Sequence, residues 1–520
     1  MDNLTASQRK ATMRRVRNKD TKPEMNIRRL VSRLGFRYRL HRKDLPGNPD
    51  LVFPGLRKVI FVHGCFWHGH EGCPASKRPQ TNRTYWIPKL QRTKVRDQKN
   101  LDLLQELGWN VLTIWECEKD TPALTRKIIN FLIPAPETDA PYKFYEFFAG
   151  GGMARIGLGN EWSCILANDN CDKKAKSYRQ NHTCNDELKI KDVAELKLTE
   201  LPGETHLCWA SFPCQDLSEA GNGNGLNGER SGTFWPFWDL MVGMKDQHRK
   251  VPIVVLENVT GALSSNVGRD FEAIIQAAVD AEYRVGAMVI DGVHFVHQSR
   301  PRLFIIAVDR DAEIPRELIS DAPNTFCHPK TVRSAYESLP DTLREQWLWW
   351  NLPAPDPIKH MLIEIFEKNP VDTTWHTNKQ TQTLLNMMSP QNLEKVADAQ
   401  AESRPILGTL YKRTRPDENG GRIQRAEVRF DQVAGCLRTP AGGSSRQTII
   451  YVNGNDIRTR LLSPREAARL MGLDDEYVLP DRYNEAYHLV GDGLVVPVIS
   501  WLGQHILTPL AHAINIQREG

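Results

Sequence analysis

The apolar positions of this chain change their rhythm along its length, and the changes divide it. From Met25 to Leu34 they recur at helical spacing. Asp50-Leu-Val-Phe53 and Lys58-Val-Ile-Phe-Val62 are short apolar runs joined at Pro54-Gly55, which predicts two strands around a turn. Asn100 to Leu107 reads as a helix ended by Gly108, and Val111 to Trp115 as a further strand. Together these predict a compact α/β unit over residues 1–130. The stretch Phe131 to Tyr142 holds three prolines within eight residues, which opposes both helix and central strand and predicts a linker over 131–142.

Beyond the linker, Phe144 to Phe148 is a strand running into Ala149-Gly-Gly-Gly152 and then a helix. Buried-strand candidates follow at Ser163–Ala167, Leu207–Ala210, Ile253–Leu256 and Leu303–Val308, separated by helical stretches. That alternation predicts a mostly parallel, doubly wound sheet. From Ser334 to Asp431 the pattern turns irregular and Trp-rich, so the sheet domain is expected over 143–333 and 432–520 with 334–431 inserted. No internal repeat is visible, and Gly221-Asn-Gly-Asn-Gly225 is a short low-complexity patch.

The chain has 520 residues, 40% hydrophobic and 25% charged, which fits two or three globular domains. No apolar run approaches the roughly 18 residues that cross a bilayer. The N-terminus is basic and lacks the apolar core of a secretory signal, so a reducing cytoplasmic setting, close to the nucleoid, is expected and the ten cysteines are read as thiols or metal ligands. Net charge is only +5, but from Arg9 to Lys43 fourteen Lys or Arg face Asp20 and Glu24 alone. Such an excess suits phosphate contacts along a nucleic acid, although a solvated helix face has the same composition.

Chemistry enters as an ordered series. Ala149-Gly-Gly-Gly152 follows a strand and opens a helix, as a nucleotide-type site requires. Asn168-Asp169 ends the next strand, where an acid can accept from ribose hydroxyls, and Asp192 closes a third segment. Phe212-Pro-Cys-Gln215 and Glu257-Asn-Val259 follow two more strands. A lone cysteine is more often inert core. Here Glu257 follows an apolar strand, where a carboxyl group is desolvated and held protonated. A thiolate with such an acid nearby suits attack on an electron-poor ring.

Over residues 143 to 520 the chain resembles the DNA cytosine-5 methyltransferase family. The resemblance rests on Phe147-Phe-Ala-Gly-Gly-Gly152, Asn168-Asp169, Asp192, Pro213-Cys-Gln215, Arg230-Ser-Gly-Thr233, Glu257-Asn-Val259, Gln298-Ser-Arg-Pro-Arg302, Leu437-Arg-Thr-Pro440 and Leu462 to Gly472, all in order. It implies a Rossmann-like fold that binds S-adenosylmethionine through Phe148, Ala149, Gly150, Gly152, Asp169, Asn170, Asp192, Val193, Pro213 and Asp492. It further implies that Cys214 adds to C6 of a flipped cytosine, Glu257 engages N3, Arg302 holds O2 and Arg300 organises the pocket. A base in a duplex must be extruded for this, and Gln215 to Gly232 is the expected covering loop. Gln215, Arg438 and Thr439 are expected at the DNA, and sequence specificity in the inserted 334–431. Two positions depart from the family: Gly491-Asp-Gly493 stands for Gly-Asn-Ser, and Asn170 for an apolar residue. Both bear on cofactor affinity.

Upstream, Cys65, His70, Cys73 and Cys117 have the types and spacing of a closed tetrahedral zinc site, with metal-free core cysteines as the alternative. Asp50 at the start of one strand, His63 and His68 after the next, and Glu24 on a preceding helix are similar to a magnesium-dependent phosphodiester cleavage site. Residues 1 to 130 resemble the very-short-patch repair (Vsr) endonuclease family through Leu45-Pro-Gly-Asn-Pro-Asp50, Phe61 to His70, Trp86, Gln105 to Trp109 and Ile114-Trp-Glu-Cys117. That family has a restriction-endonuclease-like fold and nicks beside the T of a T·G mismatch. The resemblance implies magnesium on Asp50 and the Val62 carbonyl, His68 as general base oriented by Asp97, His63 at the phosphate, and Phe66, Trp67 and Trp86 as a wedge beside the mismatch.

Methylated cytosine deaminates to thymine and leaves a T·G mismatch, so the two halves are expected to act on the same double-stranded DNA, as a monomer that hands nicked DNA to downstream repair proteins. Two readings of the first half stay open: a restriction nuclease cutting unmethylated duplex, or a silent zinc-bearing DNA-binding module.

Overall fold

The computed structural model describes residues 19–77, 82–119, 121–182, 186–213, 233–367, 369–416, 421–438 and 446–519. Cys214, Gln215, Thr439 and the expected covering loop lie outside the described residues. Contacts divide the chain into two compact units, one holding 1–136 with the short segments 197–204 and 243–250, the other holding the rest.

In the first unit the helix Lys22–Arg33 starts where Thr21 accepts the Glu24 N–H and a proline occupies the first turn. Four strands follow: β1 (Arg39–Leu40), β2 (Leu51–Phe53), β3 (Lys58–His63) and β4 (Asn110–Trp115), in the order β1-β2-β3-β4. β3 and β4 are parallel and the other pairs antiparallel. Alternate residues feed two cores. Leu51, Phe53 and Ile60 meet Ile27, Leu30 and Ile128 on one face, while Val52, Val59 and Phe61 meet Leu104 and Trp109 on the other. Burial on both faces explains why these strands read as continuous apolar runs.

Two helices differ from the sequence expectation. Arg83–Glu106 is far longer than the Asn100–Leu107 segment, with Pro88 inside its second turn and Leu104 its one fully buried residue, so periodicity gave little signal. Pro122–Leu132 runs into the expected linker, capped by Thr121 and closed after Leu132.

The second unit is built on β5 (Tyr142–Phe147), β6 (Trp162–Asp169), β7 (Leu188–Ile190), β8 (Leu207–Ala210), β9 (Ile253–Val259), β10 (Tyr283–Asp291) and β11 (Pro301–Asp309), in the order β10-β11-β9-β8-β5-β6-β7. β5 to β9 are parallel, and β11 runs against both its neighbours. Helices cover the sheet, as expected of a doubly wound fold. β9 extends three residues past Leu256, so Glu257 lies within the strand, opposite Phe304, rather than after it. The carboxyl ends of β5, β6, β8 and β9 lie side by side through the pairs Phe147↔Asn168, Phe147↔Ala210 and Ala210↔Leu256. That edge is where open α/β sheets bind ligands.

The inserted region is displaced from its expected limits. β12 (Ile319–Ser320) pairs with β13 (Trp349–Trp350), and Leu348, Trp350, Leu352, Leu362 and Ile365 pack into the main core. A separate small core begins at the helices Asn378–Asn386 and Pro390–Ala401. Its sheet, ordered β15-β14-β16-β17, comprises β14 (Ile406–Pro416), β15 (Arg422–Arg429), β16 (Thr448–Asn453) and β17 (Asp456–Leu461), and so continues past 431. The C-terminal stretch Tyr483–Arg518 is long and apolar enough to cross a membrane, contrary to the sequence reading. Two thirds of its most apolar window (67%) is buried, and Ile506, Leu507 and Leu510 belong to the main core.

Candidate active sites

The turn after β5 forms one wall of a cavity of about 480 Å³ at the carboxyl edge of the sheet. Phe148 and Gly150 both adopt left-handed backbone (φ +58° and +55°), and nothing lies within 4 Å of where a Cβ on Gly150 would project. The other two glycines answer to packing. A Cβ on Gly151 would come within 2.2 Å of the Tyr477 hydroxyl, and one on Gly152 within 2.0 Å of His182 Nε2. Packing against neighbouring side chains thus bars a larger residue at both positions, and Gly152 is also held in left-handed backbone (φ +77°).

Asp169 accepts from the N–H of Gly150 (2.8 Å) and of Cys171 (2.9 Å), which fixes the acid against the turn. Phe148, Ala149, Asn170, Asp192, Pro213 and Asp492 line the same cavity, whereas Gly152 and Val193 do not. The departure at Asp492 is matched by a cation: its carboxylate lies 3.0 Å from Lys174 Nζ, which also feels Asp169. Glu146 was missed in the sequence because its neighbours are apolar. It lines the cavity, burial pushes its carboxyl group up to about 8, and its Oε2 has no hydrogen-bond partner among the described residues. Glycine turn, acid and polar floor fit an adenosyl donor.

At the far end of the cavity Glu257 Oε1 lies 3.3 Å from Arg302 Nε. Burial raises the Glu257 carboxyl group, against the opposing pull of Arg302, Arg300 and a Ser211 hydrogen bond. Arg300 donates to the carbonyls of Leu437 (3.1 Å), Gly491 (2.8 Å) and Gly493 (2.8 Å) and to Cys436 Sγ (3.4 Å). It thus ties three chain segments together. Cys436, which the sequence reading did not single out, is half-buried beside both arginines, and although desolvation raises its thiol, the positive charge around it outweighs that and lowers it. Asn258 Nδ2 donates to the Phe212 carbonyl (3.2 Å), fixing the backbone that leads into Pro213 and toward the expected nucleophile. Arg438 is exposed, outside the cavity.

In the first unit Asp50 Oδ2 accepts the Val62 N–H (2.7 Å), and Oδ1 carries no hydrogen bond among the described residues. Burial, with Glu24 nearby, raises Asp50 to about 6 against the Val62 bond. His68 Nδ1 is 2.6 Å from Asp97 Oδ2, and Arg96 holds the other Asp97 oxygen at 3.0 Å. Burial raises the Asp97 carboxyl group, but the bonds to His68 and Arg96 outweigh it and leave it below its ordinary value. The His63 and His68 rings stack with centroids 3.8 Å apart, and burial together with His68 lowers His63 to about 4. The donor atoms of His63, His68 and Asp97 lie within 4.8 Å of one another, and Asp50, which feels the charge of His68, offers an oxygen donor of the kind a hard divalent cation prefers. Glu24 accepts from Arg28 (3.1 Å), Thr21 (3.0 Å) and the Asp20 N–H (2.9 Å), and its carboxylate lies within 4.8 Å of the donor atoms of Asp20 and His41.

The donor atoms of Cys65, His70, Cys73 and Cys117 all lie within 4.8 Å of one another, and His70 Nδ1 is 3.5 Å from Cys65 Sγ and 3.3 Å from Cys117 Sγ. Zinc–sulfur bonds of about 2.3 Å at tetrahedral angles separate ligands by roughly 3.5–3.8 Å, so the set fits zinc. Phe66, Trp67 and Trp86 stand together, with ring centroids 5.1 Å (Phe66–Trp67), 5.4 Å (Phe66–Trp86) and 6.0 Å (Trp67–Trp86) apart. None belongs to either core of this unit, and Lys89 Nζ lies over Trp67 (5.6 Å) and Trp86 (5.3 Å).

Residues 142–508 match the family described as C-5 cytosine-specific DNA methylase, and residues 1–73 match DNA mismatch endonuclease Vsr. The chain belongs to the C-5 cytosine-specific DNA methylase family. Its first unit is a Vsr endonuclease domain. That part is 47% identical over 135 residues to the type II nicking enzyme V.XorIIP of Xanthomonas oryzae pv. oryzae, covering 26% of this chain and 98% of that protein. It is 41% identical over 109 residues to the DNA mismatch endonuclease Vsr of Escherichia coli, covering 21% of this chain and 69% of that protein. The later part is 26% identical over 370 residues to the type II methyltransferase M.HhaI of Haemophilus parahaemolyticus, covering 70% and 94%. This C-5 methylase with a mismatch endonuclease domain acts on DNA, and its methylase family implies S-adenosylmethionine as the methyl donor.

Proposed function

We propose that this chain methylates cytosine at C5 within one duplex sequence through a covalent Cys214–C6 adduct, and nicks the T·G mismatch that deamination of the methylated base leaves there. The observation that carries the reading is the Glu257–Arg302 pair, 3.3 Å apart, in the same cavity as the glycine turn and Asp169. A protonated carboxyl group beside a guanidinium matches the N3 and O2 edge of cytosine.

In the methylase site the Cys214 thiolate adds to C6 of the extruded base, and the electron pair of the 5,6-double bond moves toward C5. Glu257 holds a proton at N3 and Arg302 binds O2, so negative charge on the ring is neutralised as it develops. S-adenosylmethionine, when bound, supplies an electrophilic methyl group. After C5 is methylated, loss of the C5 proton expels Cys214 and restores the ring. Arg300, bonded to three carbonyls, holds the floor on which Arg302 sits.

In the nuclease site Asp50 and the Val62 carbonyl would hold a divalent cation, which supplies Lewis acidity at the phosphate. His68, oriented by Asp97, takes the proton of the attacking water, and His63 contacts the phosphate. Glu24 holds Arg28 and raises Asp50 from a distance. Phe66, Trp67 and Trp86 wedge into the duplex beside the mismatch, and Cys65, His70, Cys73 and Cys117 would hold a zinc ion that steadies the segment bearing Phe66 and Trp67. The nick opens the strand to downstream repair proteins.

The test is bisulfite mapping of DNA from a host that expresses the chain, followed by nicking assays on the mapped sequence. The expected result is one methylated sequence, nicked with T·G and left intact with C·G or T·A. Nicking at an unrelated sequence, or cutting of matched unmethylated DNA, would overturn the coupling.

A further inference from the structure

The glycine turn after β5 has a shape that its own residues do not secure. Phe148, Gly150 and Gly152 all take left-handed backbone (φ +58°, +55° and +77°), a region that a residue with a side chain disfavours. A bond from the Gly152 N–H to the Ala149 carbonyl (2.8 Å) closes the turn. Two further N–H groups are held from β6: Ala149 donates to the Asn168 carbonyl (2.9 Å) and Gly150 to the Asp169 carboxylate (2.8 Å). The Gly151 carbonyl is held from far along the chain, where the Tyr477 hydroxyl donates to it (3.0 Å).

Tyr477 is buried in the main core and does not line the cavity, whereas Gly151 does. Burial, with Glu146 nearby, raises its hydroxyl, which therefore stays a donor. Its own position is fixed on both sides. Arg465 donates to the Tyr477 carbonyl (2.8 Å) and to the Asp474 carbonyl (3.1 Å). The following Val478 exchanges two bonds with the Asn181 side chain: its N–H donates to Oδ1 (2.7 Å) and its carbonyl accepts from Nδ2 (2.9 Å). Asn181 ends the helix Asp172–Asn181, which opens just after Asp169 and Asn170. Residues 477 and 478 thus grip both stretches that wall the cavity, the glycine turn and the helix that follows the acid.

A buried carbonyl deprived of its donor is costly, so the hydroxyl favours one position of Gly151 over others. We propose that Tyr477 is a positioning residue for the methyl donor, holding the glycine turn through the Gly151 carbonyl in the shape that receives S-adenosylmethionine. The proposal rests on the reading of this cavity as the donor site. Tyr477 carries no charge, so it acts equally on the cationic donor and on its demethylated product, S-adenosylhomocysteine.

Isothermal titration of purified full-length protein with each of these two ligands, without DNA, tests it. Tyr477→Phe keeps the ring in the core and removes only the hydroxyl. It is expected to raise both dissociation constants by the same factor, roughly 3- to 10-fold. Tyr483→Phe removes a comparable hydroxyl, bonded to the Leu462 carbonyl (2.8 Å), and is expected to leave both constants unchanged. Melting curves show that both variants are folded. A Tyr477→Phe protein that binds both ligands as tightly as wild type overturns the proposal and makes the contact a matter of stability alone. A rise confined to S-adenosylmethionine also overturns it, because that would mark a change of charge in the cavity rather than of turn position. A wild-type protein that binds neither ligand overturns the reading of the cavity, and the proposal with it.

Discussion

Burial raises both Asp50 in the nuclease domain and Glu257 in the methylase domain, yet the roles proposed for them call for opposite protonation states. As the acid of the proposed mechanism Glu257 gains directly from desolvation, which Arg302 and Arg300 oppose. Asp50, raised to about 6, would have to give up its proton to hold the proposed cation, so cation binding and proton release would be linked there. Desolvation alone therefore says little about function. The neighbours differ: Glu257 has two arginines, of which Arg300 is anchored on backbone carbonyls, whereas the nuclease unit carries two stacked imidazoles and an Asp97 anchor, and the proposed roles follow that difference.

The contrast breaks most sharply at the nucleophile. Cys214→Ala should cut methyl transfer by about 10⁴-fold or more while nicking of a prepared T·G duplex continues, measured with labelled donor and end-labelled DNA on the same preparation. Loss of both activities together would mean that the domains do not work separately. Asp50→Ala is the converse, with nicking lowered by about 10³-fold and methylation retained. Undiminished nicking by Asp50→Ala at the magnesium concentration that serves wild type would remove Asp50 from the cation site.

Glu257→Gln should lower kcat for methylation by roughly 10²- to 10³-fold. The pH profile sharpens this. The folded-state value of Glu257 is raised, so its proton persists to higher pH than in an ordinary carboxylic acid, and wild-type kcat should fall only as pH rises through that raised value. A profile in Glu257→Gln that keeps the same basic limb would assign the limb to another group. The smallest expected effect is on stability: Cys117→Ser should lower zinc content below one per chain, measured by atomic emission, and lower the melting temperature of the nuclease domain by several degrees while that of the methylase domain holds. Unchanged zinc content would leave Cys117 outside the ligand set.

Much of the fold was legible because its strands are buried on both faces. Val59, Ile60 and Phe61 go to alternate cores, and Val254, Val255 and Leu256 are all buried, so uninterrupted apolar runs marked them. The helix Arg83–Glu106 was legible only at its end, where Leu104 is buried, because an exposed helix leaves no periodic trace. The reversal of β11 was invisible, since an apolar run carries no direction. The inserted region misled for a different reason: its Trp-rich start packs on the main core, and its sheet needs β16 and β17 from beyond 431.

By itself the sequence determined the order of the chemical groups: a glycine turn, an acid, Cys214, Glu257, two arginines, and before them the cysteines and histidines of the nuclease domain. Local chemistry at strand ends leaves marks in residue type and spacing. Only the tertiary structure decided how distant segments complete each site. Arg300 meets the carbonyls of Leu437, Gly491 and Gly493, Lys174 answers the aspartate at 492, and Cys117 comes within reach of His70. Those contacts join residues far apart in the chain, and the geometry that unites them is set by how the sheets and helices pack, a property no local pattern encodes.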